Sequence, residues 1–252
     1  MEHPFKLTFN QKQTALAIKV SEVAELPYAL GQINLTSSQP VLVIVGGASQ
    51  ISDIDFLRIQ SLFVEVLAPI AETLGAYVVD GGTDAGVMRL MGYARNHINA
   101  RFPLIGVAPV GKVVLSEQTT TPADDASPLQ ADHTHFVLVP GNNWGDESPW
   151  IVDVATVLAG EYPSLTVLIN GGEITFVDAL SSITAGRLVI AIAGSGRTAD
   201  KLALALSGNT TDERATKLAA SGKLQTINLD AEPEELTKTI TNLLSNGGVN
   251  HG

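Results

Sequence analysis

The chain contains no cysteine, which excludes disulfides, thiolate metal sites and cysteine nucleophiles. Long apolar runs are missing too. Val41–Val45 and Leu188–Ile192 are of strand length, far short of the ~20 residues a membrane-spanning helix needs. Met1 to Asn10 lacks the layout of an export signal. Positive charge is scarce: 15 Lys and Arg stand against 26 Asp and Glu, for a net charge of −11. Such a chain is a poor counter-surface for nucleic acid or anionic membranes. These absences predict a cytoplasmic protein with no nucleic-acid partner and no membrane insertion. They do not exclude one small anion, because a few oriented N–H groups hold a phosphate whatever the global charge.

What is present points to a large core. Hydrophobic residues make up 45% of the 252 positions and charged residues 16%, which suits one large α/β domain. Apolar, β-branched runs predict strands at Val41–Val45, Ala76–Val79, Leu104–Ala108, Thr134–Val139, Leu165–Ile169, Leu188–Ala193 and Gln225–Leu229. Most are continuous rather than alternating, as in parallel strands buried on both faces. Helical spacing fills the intervals: Asp55–Leu74, with a kink or break expected at Pro69, Gly86–Ile98, Ser148–Leu158, Ile174–Ile183, Thr198–Leu206, Asp212–Ala220 and Pro233–Leu244. The expected fold is α/β: a Rossmann-like, doubly wound, mostly parallel sheet flanked by helices on both faces. Residues 1–252 read as a single domain with its core at about 36–245, residues 1–35 as peripheral strands with a hairpin around Asn10–Gln11, and 246–252 as a flexible tail. Ser116–Ala131 has no periodicity and reads as a long surface loop.

Five of the first six predicted strands run into glycine turns, and open parallel sheets bind ligands at their carboxyl edge. The turns contain Gly46, Gly47 and Ala48; Gly81, Gly82 and Thr83; Gly141, Asn142, Asn143 and Trp144; Gly171 and Gly172; and Gly194, Ser195, Gly196 and Arg197. Glycine allows close backbone approach to a ligand, and the helix start that follows offers free N–H groups and partial positive charge. The spacing matches neither G-x-G-x-x-G nor G-x-x-x-x-G-K-[ST]. Arg197, unfavourable at a helix start, either pairs with a bound phosphate or bridges to Asp200. Trp144 either stacks on a base or ribose or plugs the loop. Asp146 and Glu147 either cap a helix or serve a sugar or a water. His133 and His135 either hold a metal or, in the reading adopted, form ordinary hydrogen bonds, so no metal site is expected.

Gly194-Ser195-Gly196-Arg197-Thr198-Ala199-Asp200, His133–Val139, Ile105–Pro109 and Trp144-Gly145-Asp146-Glu147 together resemble the N-terminal cytosolic homology region of TRPM cation channels over roughly Val41–Leu206. The chain is identified on these motifs as a stand-alone, prokaryotic-type member of the SLOG superfamily, of the LSDAT type. That superfamily includes the LOG enzymes, which cleave the N-glycosidic bond of nucleoside monophosphates. Asp80–Met88 is similar to the LOG glycine turn. The LOG arginine–lysine pair, however, is replaced here by Asp132-His133-Thr134-His135. The resemblance implies a module that senses a nucleotide-derived, phosphate-bearing ligand such as ADP-ribose or a related NAD metabolite, with no further cofactor required. The glycine-turn residues named above would be its binding residues. The alternative it implies is a LOG-like N-glycoside hydrolase using Glu147 and Asp146. The dimers of LOG proteins imply a homo-oligomer.

Overall fold

A computed structural model describes residues 3–9, 13–50, 52–115, 124–209 and 212–246. In chain order the elements are β1 (Phe5–Thr8), β2 (Thr14–Lys19), α1 (Leu26–Gln32), β3 (Val41–Gly46), α2 (Asp53–Ser61), a π-helical turn (Leu62–Leu67), α3 (Ala68–Leu74), β4 (Tyr77–Asp80), α4 (Gly86–His97), β5 (Leu104–Pro109), β6 (Val113–Val114), β7 (Ser127–Pro128), β8 (His135–Val139), α5 (Ser148–Ala159), β9 (Ser164–Ile169), α6 (Glu173–Thr184), β10 (Leu188–Ala193), α7 (Arg197–Leu206), α8 (Glu213–Ala219), β11 (Leu224–Asn228) and α9 (Pro233–Asn246).

Nine strands form one sheet in the order β1-β2-β8-β5-β4-β3-β9-β10-β11. Only β1 is antiparallel, to β2; the remaining pairs are parallel. The chain winds outward from β3 through β4, β5 and β8. It then returns to lay β9 on the other side of β3, with Val41–Gly46 in register with Ser164–Ile169. The β3/β9 boundary is therefore the point where strand order reverses, and there the loops part to leave a crevice.

Side chains alternate across a strand, so the unbroken run Val41-Leu42-Val43-Ile44-Val45 supplies two cores at once. Val41, Val43 and Val45 pack with Ala155, Leu158 and Phe176 of α5 and α6 on one face. Leu42 and Ile44 pack with Ile59, Phe63, Met91 and Ile240 on the other. Continuous apolar strands need helices on both faces, and this sheet has them.

The structure refines the sequence reading in several places. Pro69 does not break its helix. The Ala68 N–H bonds Phe63 O, five residues back, so a π turn lets the chain enter the residue without an N–H while the helix continues through α3. Residues 26–32 form a helix rather than part of a peripheral strand region, burying Leu26, Ala29 and Leu30. β1 and β2 do pair as a hairpin, although its expected tip at Asn10–Gln11 lies outside the described residues. The helix α9 runs to Asn246, two residues past the expected end, and the rest of the expected tail lies outside the described residues. Within the long loop, 116–123 is likewise outside, while Ser127–Pro128 pairs with Val113–Val114 and Thr83 bridges Leu129. Among the described residues no helix is long and apolar enough to cross a membrane.

Candidate functional site

The parallel strands bring the glycine turns to one edge of the sheet, and a cavity of about 540 Å³ opens there beside the β3/β9 crevice. Of the residues singled out in the sequence, Gly46, Gly47, Gly81, Thr83, Trp144, Glu147, Gly172 and Arg197 line it. They come from the ends of β3, β4, β8, β9 and β10, so the winding of the sheet alone assembles them.

The first turn is shaped by close backbone approach. Gly46 has φ +128°, and a Cβ there would lie 1.9 Å from Ile169 O. The Gly47 N–H donates to that same carbonyl at 3.0 Å. Next to it, α4 and α6 both begin with no side chain capping their first turns, and Ala85, Met88, Gly172 and Thr175 of these starts line the cavity. Uncapped N–H groups at helix starts favour an anion.

Other singled-out residues serve the frame instead. Gly82 packs against Gly106, where a Cβ would lie 2.8 Å from its Cα, and its N–H donates to Asp80 Oδ1 at 2.7 Å. The Gly171 N–H bonds the Asn170 side chain. Asp146 Oδ2 accepts from the N–H groups of Asn142 and Asn143 at 2.9 and 3.0 Å, loop donors upstream of α5, whose own start carries no side-chain cap, and Gly141 packs against Asp146 and Pro109. None of these lines the cavity, nor does Ala48.

The segment Gly194–Arg197 divides in the same way. Gly194 N–H donates to Asp200 Oδ1. Ser195 is fully buried, and its hydroxyl accepts from Asn170 N and donates to Ile192 O. The Thr198 and Ala199 N–H groups bond Gly171 O and Asn170 O. These donors of the turn are thus satisfied within the protein, and neither Gly194, Ser195 nor Gly196 lines the cavity. The segment reaches it through the Arg197 side chain, whose Nη1 donates to Ser49 Oγ at 2.8 Å. Arg197 holds φ +51°, an uncommon conformation for a residue with a side chain.

Asn170 joins these turns, and its own φ is +53°. Its Nδ2 donates to Ser195 O at 2.8 Å and to Ser49 O at 3.3 Å. One buried amide therefore ties the loops after β3, β9 and β10. The turn after β4 has a second brace. Gln130 is oriented by Asp132, which accepts from its Nε2 and donates its own N–H to Oε1. The His133 Nδ1–H therefore donates to Gln130 Oε1, leaving Nε2 2.8 Å from Asp80 Oδ1. Both Asp80 and His133 are buried. His135 bonds Thr134, and burial pushes its pKa down to about 4.

The charges on the cavity wall are Asp125, Glu147, Glu173, Asp178 and Arg197. Asp125 sits on Lys112 Nζ at 2.6 Å, and Glu173 on Arg214 Nη1 at 2.5 Å. Burial raises the carboxyl of Glu147 above the ordinary range, with the Asp146 charge adding to the effect. Burial pushes Asp178 up to about 7, opposed by the Ser148 hydrogen bond. Among the described residues, Arg197 is the one cation on this wall, and no carboxylate bridges to it. The Trp144 ring forms part of the wall, its Nε1 donating to Asp125 O. Asp178 was not singled out from the sequence. Its signal was faint: Thr175, Asp178 and Ser182 form a polar stripe on the buried face of α6.

Residues 39–238 match the family model described as SLOG in TRPM, prokaryote. The chain is also 25% identical to transient receptor potential cation channel subfamily M member 2 of Rattus norvegicus, over an alignment covering 56% of this chain and 12% of the channel. It is 27% identical to the subfamily M member-like 2 protein of Nematostella vectensis, covering 65% of this chain and 13% of that relative. The chain thus spans only a small part of the length of these relatives.

Proposed function

The chain belongs to the family of SLOG domains in TRPM, prokaryote, and we propose that it is a ligand-binding module for a nucleotide-derived, phosphate-bearing small molecule, such as ADP-ribose or a related NAD metabolite. One observation carries the reading. On an acidic chain, every carboxyl group of the cavity wall is either paired with a cation or shifted toward its neutral form by burial, while Arg197 has no bridging carboxylate among the described residues. A wall balanced this way attracts an anion at one place. The uncapped starts of α4 and α6 add partial positive charge, and Trp144 offers a flat surface for a base.

Calorimetric titration with ADP-ribose tests the reading. Arg197→Ala is expected to weaken binding at least about tenfold, as for a lost charge-assisted hydrogen bond. Equal affinity of both proteins would remove Arg197 from the site. A thermal-shift screen of nucleotides and sugar phosphates covers the wider class, since ligand at a hundred times its Kd adds about 2.7 kcal/mol to stability.

A second reading, an N-glycoside hydrolase, is favoured by the two buried carboxyl groups on the wall, Glu147 and Asp178. A carboxyl group raised toward neutrality suits general acid–base work. Asp146, engaged with Asn142 and Asn143, has no part in this version. Chromatography after incubation with nucleoside monophosphates, NAD and ADP-ribose separates the readings: release of free base supports hydrolysis, and intact substrates leave the binding module.

A further inference from the structure

Asp178 is 8% exposed, lies inside α6 and away from every glycine turn, yet it lines the cavity. Ser148 Oγ donates to its Oδ1 at 2.5 Å. Its Oδ2 has no hydrogen-bond partner among the described residues. Glu147, also 8% exposed, reaches the same cavity with Oε2 held by the Gly145 N–H at 2.8 Å. The Arg197 guanidinium approaches Gly172, the N-cap of α6. Asp178 is six residues further along that helix, a rise of about 9 Å, the length scale of one phosphorylated sugar.

We propose that Asp178 and Glu147 form a subsite for the adjacent hydroxyl groups of a neutral sugar ring, so that the ligand is a phosphorylated polyol or pentose bound by its phosphate near Arg197 and by its diol at these carboxyl groups. This inference rests on the phosphate-ligand reading above. A hydroxyl group both donates and accepts, so it matches a carboxyl group in either protonation state, and burial brings Asp178 to where both states are populated near neutral pH. A second phosphate at this place would meet carboxyl oxygens instead of N–H donors. A divalent cation would need more ligands than the pair supplies, and among the described residues no group of three His, Asp or Glu side chains is placed to hold one.

The test compares ribose 5-phosphate with 2-deoxyribose 5-phosphate by calorimetry at pH 7, with ADP-ribose as reference, on the wild-type chain and on Asp178→Ala, Glu147→Ala and Arg197→Ala. Wild type is expected to prefer the ribose compound at least about tenfold, because a site built to bond a hydroxyl rejects the analogue lacking it. Asp178→Ala or Glu147→Ala, which remove the polar group outright, should cut the preference to about threefold or less. Arg197→Ala should weaken both sugars while keeping their ratio. Equal wild-type binding of the two sugars overturns the diol subsite and leaves the phosphate-ligand reading standing, as does a preference that survives both carboxyl variants. Binding of none of the three probes overturns both. Magnesium binding lost in Asp178→Ala would make the pair a cation site and overturn the proposal.

Discussion

Replacing Asp178 with asparagine should stabilise the ligand-free protein at alkaline pH and do so progressively less as pH falls. Burial raises this carboxyl from an ordinary value near 4 to about 7 in the folded chain. Between those values the folded state holds a proton that the unfolded state has released. Stability therefore falls as pH rises through this window and reaches its full deficit above pH 7. Three pH units at about 1.4 kcal/mol each set a ceiling of about 4 kcal/mol. At pH 5 the deficit has reached only about 1.5 kcal/mol. Asparagine matches the neutral carboxyl in shape, can still accept the Ser148 hydrogen bond, and carries no charge at any pH. The stability gap between variant and wild type should thus widen by about 2 to 3 kcal/mol from pH 5 to pH 8. For a chain of this size that is about 5 to 10 °C in Tm. Differential scanning calorimetry of both proteins at the two pH values measures it. Glu147, raised in the same direction, contributes a parallel slope to both proteins and cancels in the comparison. A gap that is the same at pH 5 and pH 8, or that narrows toward pH 8, refutes the assignment of a buried, reluctant carboxylate at this position.

Other substitutions probe the frame of the site. Gly46→Ala places a methyl group 1.9 Å from Ile169 O and should cost more than about 3 kcal/mol in urea denaturation, among the largest single-residue effects. His133→Ala leaves the fully buried Asp80 without its ring partner and should cost about 3 to 5 kcal/mol, visible as a large drop in Tm. Ser195→Ala removes an acceptor for Asn170 N and a donor to Ile192 O, for about 1 to 3 kcal/mol. Arg197→Ala, exposed and outside any ion pair among the described residues, should leave unfolding within about 0.5 kcal/mol of wild type while weakening ADP-ribose, so that stability and binding separate.

The strands were legible because each burial requirement writes itself into adjacent residues. Val41–Val45 must face two helical layers, and every position is apolar. The winding follows from strands alternating with helices, and the edge of the sheet that carries the glycine turns follows from the winding. Less legible was the division of labour within those turns. Gly82 and Gly46 look alike in sequence, but only the packed chain shows Gly82 against Gly106 and Gly46 beside the crevice. Ser195 reads as a phosphate-turn serine until Asn170, 25 positions upstream, is found to use its hydroxyl. Asp178 was hidden because its cavity is built by residues from five strand ends, while its own neighbours in sequence form an ordinary amphipathic helix. The helix α1 was missed for a different reason: only seven residues long, with a proline at its start, it draws its stability from the sheet it covers rather than from its own periodicity.

Asn170 has a consequence for the kinetics of recognition. Its amide fastens the loops after β3, β9 and β10 to one another through Ser49 and Ser195. The disorder these loops would otherwise surrender on meeting a ligand is surrendered when the chain folds. A pocket set in advance has little left to rearrange, so encounter and capture become nearly the same event. Release then waits on the contacts the ligand itself makes, and changes in the ligand should alter how long it stays far more than how fast it arrives.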